Sequence, residues 1–361
     1  MSADTLSHHL ADLIRANGPI SIARYMAAAM GHPKFGYYMH RDPLGQSGDF
    51  ITAPEVSQMF GELIGLWCAT VWRSMGEPPS IALTELGPGR GTLMADALRA
   101  AAKVPGFNEA AQVHLVETSP VLRAKQRSAL EPHAVAWHES FDSVPEGPAI
   151  IVANELFDAL PIRQFERLRE GWCERLVDLD PAGARFRLVL ASPANNPVPP
   201  SLRDAPLGSV CEVSPAGLAL ADAVAERLSR HGGAALIIDY GAAESRPRET
   251  LQSVHGHKSH DVFEAPGTAD ICAHVDFGQL ACAARGGGGA VYGPIEQGRF
   301  LRELGIEARA AALSQASTAQ AESIRADLAR LTDPAQMGSL FKVLAIAHPD
   351  LPPPPGFGTI Q

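Results

Sequence analysis

Three glycines alternate with other residues directly after a short apolar segment, at Gly87, Gly89 and Gly91. The apolar segment predicts a buried strand and the residues from Thr92 predict a helix, so the glycines lie in a strand-to-helix turn. Glycine adopts positive φ without strain and lets backbone N–H groups approach a ligand closely. The spacing is G-x-G-x-G, whereas dinucleotide-binding turns have G-x-G-x-x-G. This turn predicts an α/β fold with a ligand at this strand end; the alternative is a tight turn without a ligand.

The alternation of strand and helix patterns continues along the chain. Five segments predict strands, at 81–86, 112–117, 134–137, 149–154 and 234–240. Three segments predict helices, at 92–103, 120–130 and 215–231. Alternating strands and helices of this size form a parallel sheet with helices on both faces. A mostly helical segment at 299–330 and a closing strand at 339–347 follow.

Residues 163–208 interrupt this alternation. Three segments there predict antiparallel strands, at 163–168, 172–178 and 185–190, and a loop rich in proline and asparagine follows at 193–208. We therefore divide the chain into a helical N-terminal region with a lid loop, residues 1–79, and an α/β domain, residues 80–361. The insertion at about 163–208 belongs to the second part.

The N-terminal region predicts two short helices, at 4–16 and 21–30, followed by an irregular stretch at 35–50. Thr52 and Glu55 have the spacing of a capping box, which predicts that a long helix begins there. The apolar residues of this helix recur at helical spacing and predict one buried face: Val56, Met59, Phe60, Leu63, Ile64, Trp67 and Val71.

Composition narrows the functional classes. The net charge of −10 and the pI near 5.7 disfavour a nucleic-acid-binding protein. The five cysteines are far apart and form no C-x-x-C pair, which disfavours a disulfide framework and favours a reducing compartment. The chain has no apolar stretch of about 18 residues and no signal-peptide pattern. We therefore expect a soluble, cytoplasmic protein.

His255, His257 and His260 are the best candidates for metal ligands in the sequence. They lack cysteine partners at ligand spacing, and histidines in solvated loops are common. We therefore predict no metal site.

Glu117 ends the second predicted strand, directly before the start of a helix at Ser119 and Pro120. A carboxylate at this place can accept hydrogen bonds from both hydroxyls of a ribose, and its distance from the glycine turn is close to the roughly 20 residues usual for such an acid. The alternative is an exposed acid that is favoured by the helix dipole.

Two residues in the glycine turn distinguish between cofactors. A diphosphate needs a wide set of free N–H groups at the helix N-terminus. Glu85 adds a negative charge there and Pro88 removes a donor, and both suit a cationic sulfonium with an amino-acid tail better. S-adenosylmethionine is therefore the ligand that we predict for this turn.

Asn154, Glu155 and Asp158 group polar side chains at the end of the fourth predicted strand. Methyl transfer is an in-line displacement, so the enzyme mainly positions the acceptor. An arginine acceptor stays protonated, and paired carboxylates at Glu155 and Asp158 would hold its guanidinium bidentately. The alternative role of these carboxylates is helix capping and structural hydrogen bonding.

Asp49 and Thr52 lie in the polar stretch that precedes the long helix. A loop so poor in core residues is often a lid over a ligand site. We consider both residues as ligand contacts, against the alternative that they only cap the next helix.

Six segments resemble one known family: SGDFITAPE at 47–55, ELGPGRGTL at 85–93, VETSP at 116–120, ANELFDALP at 153–161, IDYG at 238–241 and HVDF at 274–277. The chain resembles the bacterial relatives of the mitochondrial arginine methyltransferase that acts as a complex I assembly factor. The resemblance spans about residues 5 to 345.

The resemblance implies a class I, Rossmann-like methyltransferase fold: a seven-stranded, mostly parallel sheet with a helical N-terminal region and an antiparallel insertion. It also implies S-adenosylmethionine as methyl donor and, as acceptor, a protein arginine on a complex I subunit. Donor contacts implied by position are Gly87, Gly89 and Glu117, together with Asp49, Thr52 and Asn154. A homodimer is a further expectation.

Two other functions stay open at this point. One is a non-catalytic assembly factor that uses the fold only to bind a partner, although such a scaffold would not need the glycine turn and Glu117. The other is a methyltransferase for a small molecule, which the long insertion at 163–208 weakly disfavours.

Overall fold

The computed structural model describes residues 5–45, 48–131, 133–183, 185–195, 198–256 and 258–358. Ser47 of the predicted lid loop and His257 lie outside these residues. The helices are, in chain order, α1 (Leu6–Asn17), α2 (Ile22–Gly31), α3 (Tyr37–His40), α4 (Ala53–Val56), α5 (Gln58–Ser74), α6 (Thr92–Ala101), α7 (Phe107–Ala110), α8 (Pro120–Ala129), α9 (Pro215–His231), α10 (Phe277–Gly286), α11 (Gln297–Glu303), α12 (Ile306–Ala316), α13 (Ala321–Thr332) and α14 (Met337–Leu340).

The strands are β1 (Ile20–Ser21), β2 (Ile81–Leu86), β3 (Ala111–Val116), β4 (Val135–His138), β5 (Ala149–Asn154), β6 (Arg163–Leu168), β7 (Gly171–Leu179), β8 (Phe186–Pro193), β9 (Val210–Val213), β10 (Gly233–Ala242), β11 (Gln252–His255), β12 (Lys258–His260), β13 (Asp270–Cys272), β14 (Val275–Asp276), β15 (Ala290–Glu296) and β16 (Phe341–Ala347). The strands predicted from the alternation in the sequence correspond to β2, β3, β4, β5 and β10, within a few residues at each end.

The long helix does not begin where the sequence predicts. Thr52 precedes only the short helix α4, and its side chain makes no capping hydrogen bond. Ser57 is extended and caps α5 instead, accepting a hydrogen bond from the backbone N–H of Met59 at 3.4 Å. Glu55 bonds outside its own helix, because the Thr92 hydroxyl donates to its carboxylate at 2.6 Å. The predicted capping box is therefore wrong, and the carboxylate serves to hold two segments together.

The predicted apolar face of this helix is buried in α5. Six of the residues named for it have almost no exposed surface: Met59, Phe60, Leu63, Ile64, Trp67 and Val71. They pack with α6 and with the central sheet in one large hydrophobic cluster. The periodicity of the sequence thus located the buried face even though the capping residues were misread.

The central sheet has the strand order β15-β16-β10-β5-β2-β3-β4. Strands β10, β5, β2, β3 and β4 run parallel to their neighbours among these five, and β16 is antiparallel to both β10 and β15. The short strand β14 adds a further parallel pair at the end of β10. This order confirms the predicted class I methyltransferase sheet. It also places β2 between β3 and β5, where connections leave in opposite directions and a ligand crevice forms.

Both faces of the sheet are covered, as expected for parallel strands. Every residue of β2 and β5 is buried. Helices α5 and α6 belong to the hydrophobic cluster on one face, and α9 and α10 belong to the cluster on the other. The sheet is therefore a rigid support for the loops at its carboxyl edge.

Strands β6, β7 and β8 of the insertion form a separate antiparallel sheet with β9, which follows the predicted end of the insertion, and β1 of the N-terminal region pairs with β7. Ile20 lies opposite Val177 in this pairing. A three-stranded sheet of β12, β11 and β13 follows β10. Within the described residues, no helix is long and apolar enough to cross a membrane.

Candidate functional site

A cavity of about 260 Å³ opens at the carboxyl ends of β2, β3 and β5. Seven of the residues predicted for the site line it: Thr52, Glu85, Gly87, Gly89, Glu117, Asn154 and Glu155. The other three, Asp49, Gly91 and Asp158, do not line it. The topological switch point of the sheet thus brings together residues that are up to 103 positions apart in the chain.

The glycine turn forms the floor of the cavity. Gly87, Gly89 and Gly91 have φ of 65°, 54° and 85°, values that side-chain-bearing residues rarely adopt. A Cβ at Gly87 would lie 2.9 Å from Cδ1 of Leu156, and one at Gly89 would lie 2.8 Å from Cδ1 of Leu44. Gly91 is the N-cap of α6 and its nearest neighbours are atoms of Gln126. Two glycines therefore keep the cavity open, and the third shapes the start of the helix.

Glu117 is held in place by its own loop. Its Oε1 accepts a hydrogen bond from the backbone N–H of Ser119 at 2.7 Å, and its Oε2 accepts one from Nε2 of Gln126 at 3.2 Å. Burial raises the pKa of Glu117, against the opposing effect of these hydrogen bonds. A carboxylate offers about four acceptor positions, so Glu117 keeps acceptor capacity for a ligand in the cavity.

Gln126 links Glu117 to the glycine turn. Its Nε2 also donates to the carbonyl oxygen of Gly89 at 2.7 Å, and its Oε1 accepts from the Trp137 indole at 2.9 Å. The side chain is fully buried. The sequence analysis missed this residue because a single glutamine in a helix has no spacing signal.

Glu155 directly follows β5 and has an unusual backbone conformation. Its φ is 51°, in the left-handed region that costs a non-glycine residue about 1–2 kcal/mol. Its Oε1 accepts hydrogen bonds from the backbone N–H of Ala53 at 2.8 Å and from Nδ2 of Asn154 at 3.1 Å. Burial raises the pKa of Glu155 to about 7, and the neighbouring Asp158 contributes to the same shift. A buried carboxylate near neutrality, on a strained residue in a cavity, is a common property of functional sites.

Asp158 lies beside the cavity and not in its wall. Its Oδ2 accepts a hydrogen bond from the Tyr240 hydroxyl at 2.7 Å. Burial raises the pKa of this carboxyl group above its ordinary value. The two predicted acceptor carboxylates are therefore close neighbours that point to different partners.

Asp49 is bound within the lid region. Its Oδ2 accepts from the Tyr37 hydroxyl at 2.5 Å and its Oδ1 from the backbone N–H of Gly256 at 2.6 Å. Burial alone would raise the pKa of Asp49, but these hydrogen bonds and the nearby His255 lower it below the ordinary value. Its carboxylate ties the loop to the β11–β12 hairpin, while Thr52, three positions on, lines the cavity.

Arg90 fastens the lid loop to the glycine turn. Its guanidinium donates to Asp42 at 2.9 Å, to Glu55 at 3.3 Å and to the carbonyl oxygen of Leu44. The sequence analysis did not assign a role to Arg90, although a charged residue between two turn glycines was a visible signal. This contact closes one side of the cavity.

Comparison with known proteins identifies the family. Residues 63–295 match the model of a family described as "Putative S-adenosyl-L-methionine-dependent methyltransferase". The chain belongs to this methyltransferase family.

Curated relatives of this methyltransferase extend over nearly its whole length. The protein arginine methyltransferase NDUFAF7 of Xenopus laevis is 36% identical and covers 99% of this chain and 90% of its own. The Drosophila melanogaster homologue of that protein is 39% identical over 98% of this chain and 88% of its own. The human protein is 36% identical over 94% of this chain and 82% of its own.

A solved structure shares the fold. A crystal structure of a Burkholderia thailandensis protein bound to S-adenosyl-homocysteine superimposes with a TM-score of 0.85 and 31% identity, covering 98% of this chain and 92% of that one. A native crystal structure from the same organism gives a TM-score of 0.82. Together with the family, these similarities confirm the predicted methyltransferase fold, enzymatic class and S-adenosylmethionine cofactor.

Two orphaned polar atoms in the methyltransferase fit this cofactor. Oε2 of Glu85 and Oδ1 of Asn154 are buried and accept no hydrogen bond from any described residue. Both residues line the cavity, and an unsatisfied buried acceptor costs about 1–3 kcal/mol. Burial raises the pKa of Glu85 to about 8. The amino-acid part of S-adenosylmethionine carries an ammonium group whose N–H donors would satisfy both acceptors.

Among the described residues, no group of three histidine, cysteine, aspartate or glutamate side chains could hold a metal ion. His255 lies with its Nδ1 3.8 Å from Oδ1 of Asp49, and its ring packs edge-on against that of His260. These histidines therefore belong to the contacts around the lid.

Proposed function

We propose that this methyltransferase transfers a methyl group to an arginine side chain of a protein. The observation that carries the proposal is Glu155, a buried carboxylate in the wall of the donor cavity. The curated relatives, which are protein arginine methyltransferases by name and match over 94–99% of this chain, support the same acceptor.

Glu155 suits a guanidinium. An arginine side chain stays protonated in proteins, so a site for it needs a negative charge and free acceptor atoms. Oε1 of Glu155 is already used, but Oε2 accepts no hydrogen bond from the part of the chain that the structure describes. With its pKa near 7, Glu155 is about half ionised at neutral pH, and an entering guanidinium would favour the ionised form.

Asp158 is the second of the proposed acceptor carboxylates. It is close enough to Glu155 to raise the pKa of that group. In the observed arrangement it is bonded to Tyr240, so direct contact with the acceptor requires that this hydrogen bond is exchanged. We therefore assign the first contact with the guanidinium to Glu155 and a supporting charge to Asp158.

The other predicted residues would hold the donor. When bound, S-adenosylmethionine supplies an electrophilic methyl group on a sulfonium. Glu85 and Asn154 would accept from its ammonium group, Glu117 from its ribose hydroxyls, and the backbone of Gly87 and Gly89 would lie against it. Thr52 reaches the cavity from the lid side, while Asp49 and Gly91 act on the shape of the lid and the turn. These residues would hold the donor in the same cavity that Glu155 lines, and the positioning of donor and acceptor is what in-line transfer requires.

We extend the proposal to the partners. The family resemblance implies a subunit of respiratory complex I as the acceptor, and we propose it as the first protein to test. The homodimer and the cytoplasmic location expected from the sequence stay predictions.

Mass spectrometry of methylated arginines tests the proposal. We expect arginine methylation of one or a few proteins to disappear from cells that lack this protein and to return with the wild-type gene. The variants Glu155→Gln and Asp158→Asn should fail to restore it while still binding S-adenosylhomocysteine in calorimetry. If both carboxamide variants restore full methylation, the carboxylate assignment is wrong.

Two results would overturn the proposal in favour of the other functions. If wild-type protein gives no thermal stabilisation with S-adenosylmethionine or S-adenosylhomocysteine, the chain is a non-catalytic binding factor. If it binds the donor and no methylated arginine depends on it, the acceptor is a different molecule.

A further inference from the structure

Asp239 is a carboxyl group in the interior of the fold, near the end of β10. It is completely buried, and within the described residues no lysine, arginine or histidine forms an ion pair with it. Its oxygens instead accept three backbone N–H groups. Oδ1 accepts from Tyr240 at 2.9 Å, and Oδ2 accepts from Phe157 at 2.9 Å and from Asp158 at 3.2 Å. Burial, together with the neighbouring Asp158 and Glu155, raises the pKa of Asp239 well above its ordinary value. A carboxyl group so deeply buried is costly unless its oxygens are hydrogen-bonded, and in Asp239 both oxygens are engaged by backbone N–H groups.

Two of these three hydrogen bonds come from the segment that carries Glu155. β5 pairs with β10 up to Asn154, which lies opposite Ile238. The backbone N–H of Glu155 then donates to the carbonyl oxygen of Ile238 at 2.9 Å. Directly after this bond the chain turns through the left-handed Glu155, and Asp239 receives the N–H groups of Phe157 and Asp158. The strained residue is thus held from both sides by consecutive residues of one neighbouring strand.

The turn decides which carboxylate faces the cavity. Glu155 lines the cavity and bonds the lid at Ala53, whereas Asp158 bonds the Tyr240 hydroxyl away from the lining residues. Asp239 accepts hydrogen bonds from the backbone N–H groups of Phe157 and Asp158, which follow Glu155 in the chain. The free energy of these hydrogen bonds offsets the cost of the positive φ of Glu155. An extended Glu155 would point its side chain to the other face of the strand.

We propose that Asp239 is a positioning residue for the methyl-transfer reaction: by capping the backbone of Phe157 and Asp158, it keeps Glu155 in the left-handed conformation that directs its carboxylate into the cavity. This inference rests on the acceptor role proposed for Glu155. Asp239 itself does not line the cavity, and the donor contacts at the glycine turn and at Glu117 do not depend on it.

The variants Asp239→Ala and Asp239→Asn test this role. Ala removes all three acceptor contacts, while Asn keeps one oxygen that can still accept from Phe157 and Asp158. We expect kcat to fall about 100-fold for Ala and about tenfold for Asn, because a displacement of about 1 Å in a catalytic group can cost this much. Calorimetry should give the dissociation constant of S-adenosylhomocysteine within about threefold of the wild-type value for both.

Glu212→Gln is the matched control. Glu212 is also a buried carboxylate that accepts backbone N–H groups, from Thr250 at 2.9 Å and from Leu251 at 3.1 Å, but it lies away from the donor cavity. We expect this variant to keep kcat within about twofold. A loss of kcat in Glu212→Gln equal to that in Asp239→Asn would overturn the inference, because it would assign the effect to general loosening of the fold.

A double-mutant cycle with Glu155→Ala shows whether Asp239 acts through Glu155. We expect Asp239→Asn to reduce kcat about tenfold in the wild-type background and by less than about twofold in the Glu155→Ala background. Equal reductions in both backgrounds would overturn the inference.

A crystal structure of Asp239→Asn or Asp239→Ala separates this inference from the proposed function. We expect Glu155 to leave the left-handed region and its 2.8 Å hydrogen bond with Ala53 to be lost or lengthened in the Ala variant. If Glu155 keeps its φ and this hydrogen bond in both variants, Asp239 does not position it, whatever the enzyme methylates. If Glu155 moves and no arginine is methylated by the wild-type protein, only the proposed acceptor is wrong.

Discussion

Replacing Glu85 by glutamine should change how the stability of the ligand-free enzyme depends on pH. Glu85 is the penultimate residue of β2, is almost fully buried, and its Oε2 has no hydrogen-bond donor among the described residues. Burial raises its pKa from an ordinary value of 4.5 to about 8. The unfolded chain therefore loses this proton near pH 4.5, while the folded chain keeps it until about pH 8.

The sign of the effect follows from this difference. The folded state binds the proton more tightly, so rising pH destabilises it relative to the unfolded state between about pH 4.5 and pH 8, and no further above pH 8. Between about pH 5 and pH 8 the wild-type protein should lose about 4 kcal/mol through this one group. A glutamine does not titrate, so Glu85→Gln should lack this loss.

The difference is large enough for calorimetry. With an unfolding entropy of about 2.1 cal/mol/K per residue, about 4 kcal/mol corresponds to about 5 °C in Tm for a chain of this length. We therefore expect the Tm of Glu85→Gln minus that of wild type to rise by about 5 °C from about pH 5 to pH 8 in differential scanning calorimetry. Glu155→Gln is the control, because it removes a different buried carboxyl group with a pKa near 7 and should show a smaller rise that ends earlier.

Ligand binding provides the second half of the test. An ammonium group beside Glu85 would lower its pKa, so wild-type protein should release a proton when it binds S-adenosylhomocysteine at about pH 7. Titration calorimetry in buffers of different ionisation enthalpy measures this proton. We expect Glu85→Gln to release less and to bind more weakly. Identical pH dependence of Tm and identical proton release in wild type and Glu85→Gln would refute the reasoning.

Three further predictions concern the same cavity. Glu117→Ala should weaken S-adenosylhomocysteine binding at least about 100-fold in calorimetry, because it removes two charge-assisted hydrogen bonds to the ribose of about 1.5–3 kcal/mol each; a dissociation constant within about threefold of wild type would contradict this. The kcat/KM of wild-type protein should rise as pH increases through about 7, where Glu155 of the free enzyme ionises, and Glu155→Gln should lose this dependence together with about 100-fold in kcat/KM. A Glu155→Gln profile that still rises through about pH 7 would assign the ionisation to another group. Arg90→Ala should remove the ion pairs with Asp42 and Glu55 that hold the lid loop to the glycine turn, and it should accelerate donor dissociation about tenfold in stopped-flow experiments. Arg73→Ala, at an exposed helix position paired with Glu77 at 3.9 Å, should not change this rate. Equal dissociation rates for Arg90→Ala and wild type would show that these ion pairs do not retain the donor.

The parallel sheet was predictable because its strands carry their own signal. β2, β5 and β10 are short, apolar runs, and each is followed by a loop or helix pattern typical of α/β proteins. Strands β11 to β14 have two to four residues each, too few for any periodicity to stand out. β15 was not predicted from the sequence for another reason. Gly293 and Pro294 interrupt its apolar pattern, and its register with β16 shifts between Tyr292 and Ile295. Its place at the sheet edge is decided by pairing with β16.

Some residues of the candidate site were predictable from the sequence and others were not. Residues at strand ends, such as Glu85, Glu117 and Asn154, were found from the sequence because parallel strands bring their carboxyl ends to one edge. Gln126, Arg90 and Asp239 were not assigned a role, because the partners of each lie far away in the chain. The place of Arg90 between two turn glycines is visible in the sequence, but its contacts with Asp42, Leu44 and Glu55 are not. Asp158 shows the limit most clearly, since its position in the sequence could not reveal that its carboxylate bonds Tyr240.

The glycine turn and the polar residues at the strand ends around it were visible in the amino-acid sequence, and together with the family resemblance they predicted the ligand of the cavity. These features are local, because positive φ, a missing side chain and a terminal carboxylate are properties of a few adjacent residues. Which carboxylate lines the cavity, and what holds it there, depends on contacts between segments that are distant in the chain. That choice depends on β10 lying beside β5, so that Ile238 and Asp239 receive the backbone N–H groups of a strained turn that lies far earlier in the chain.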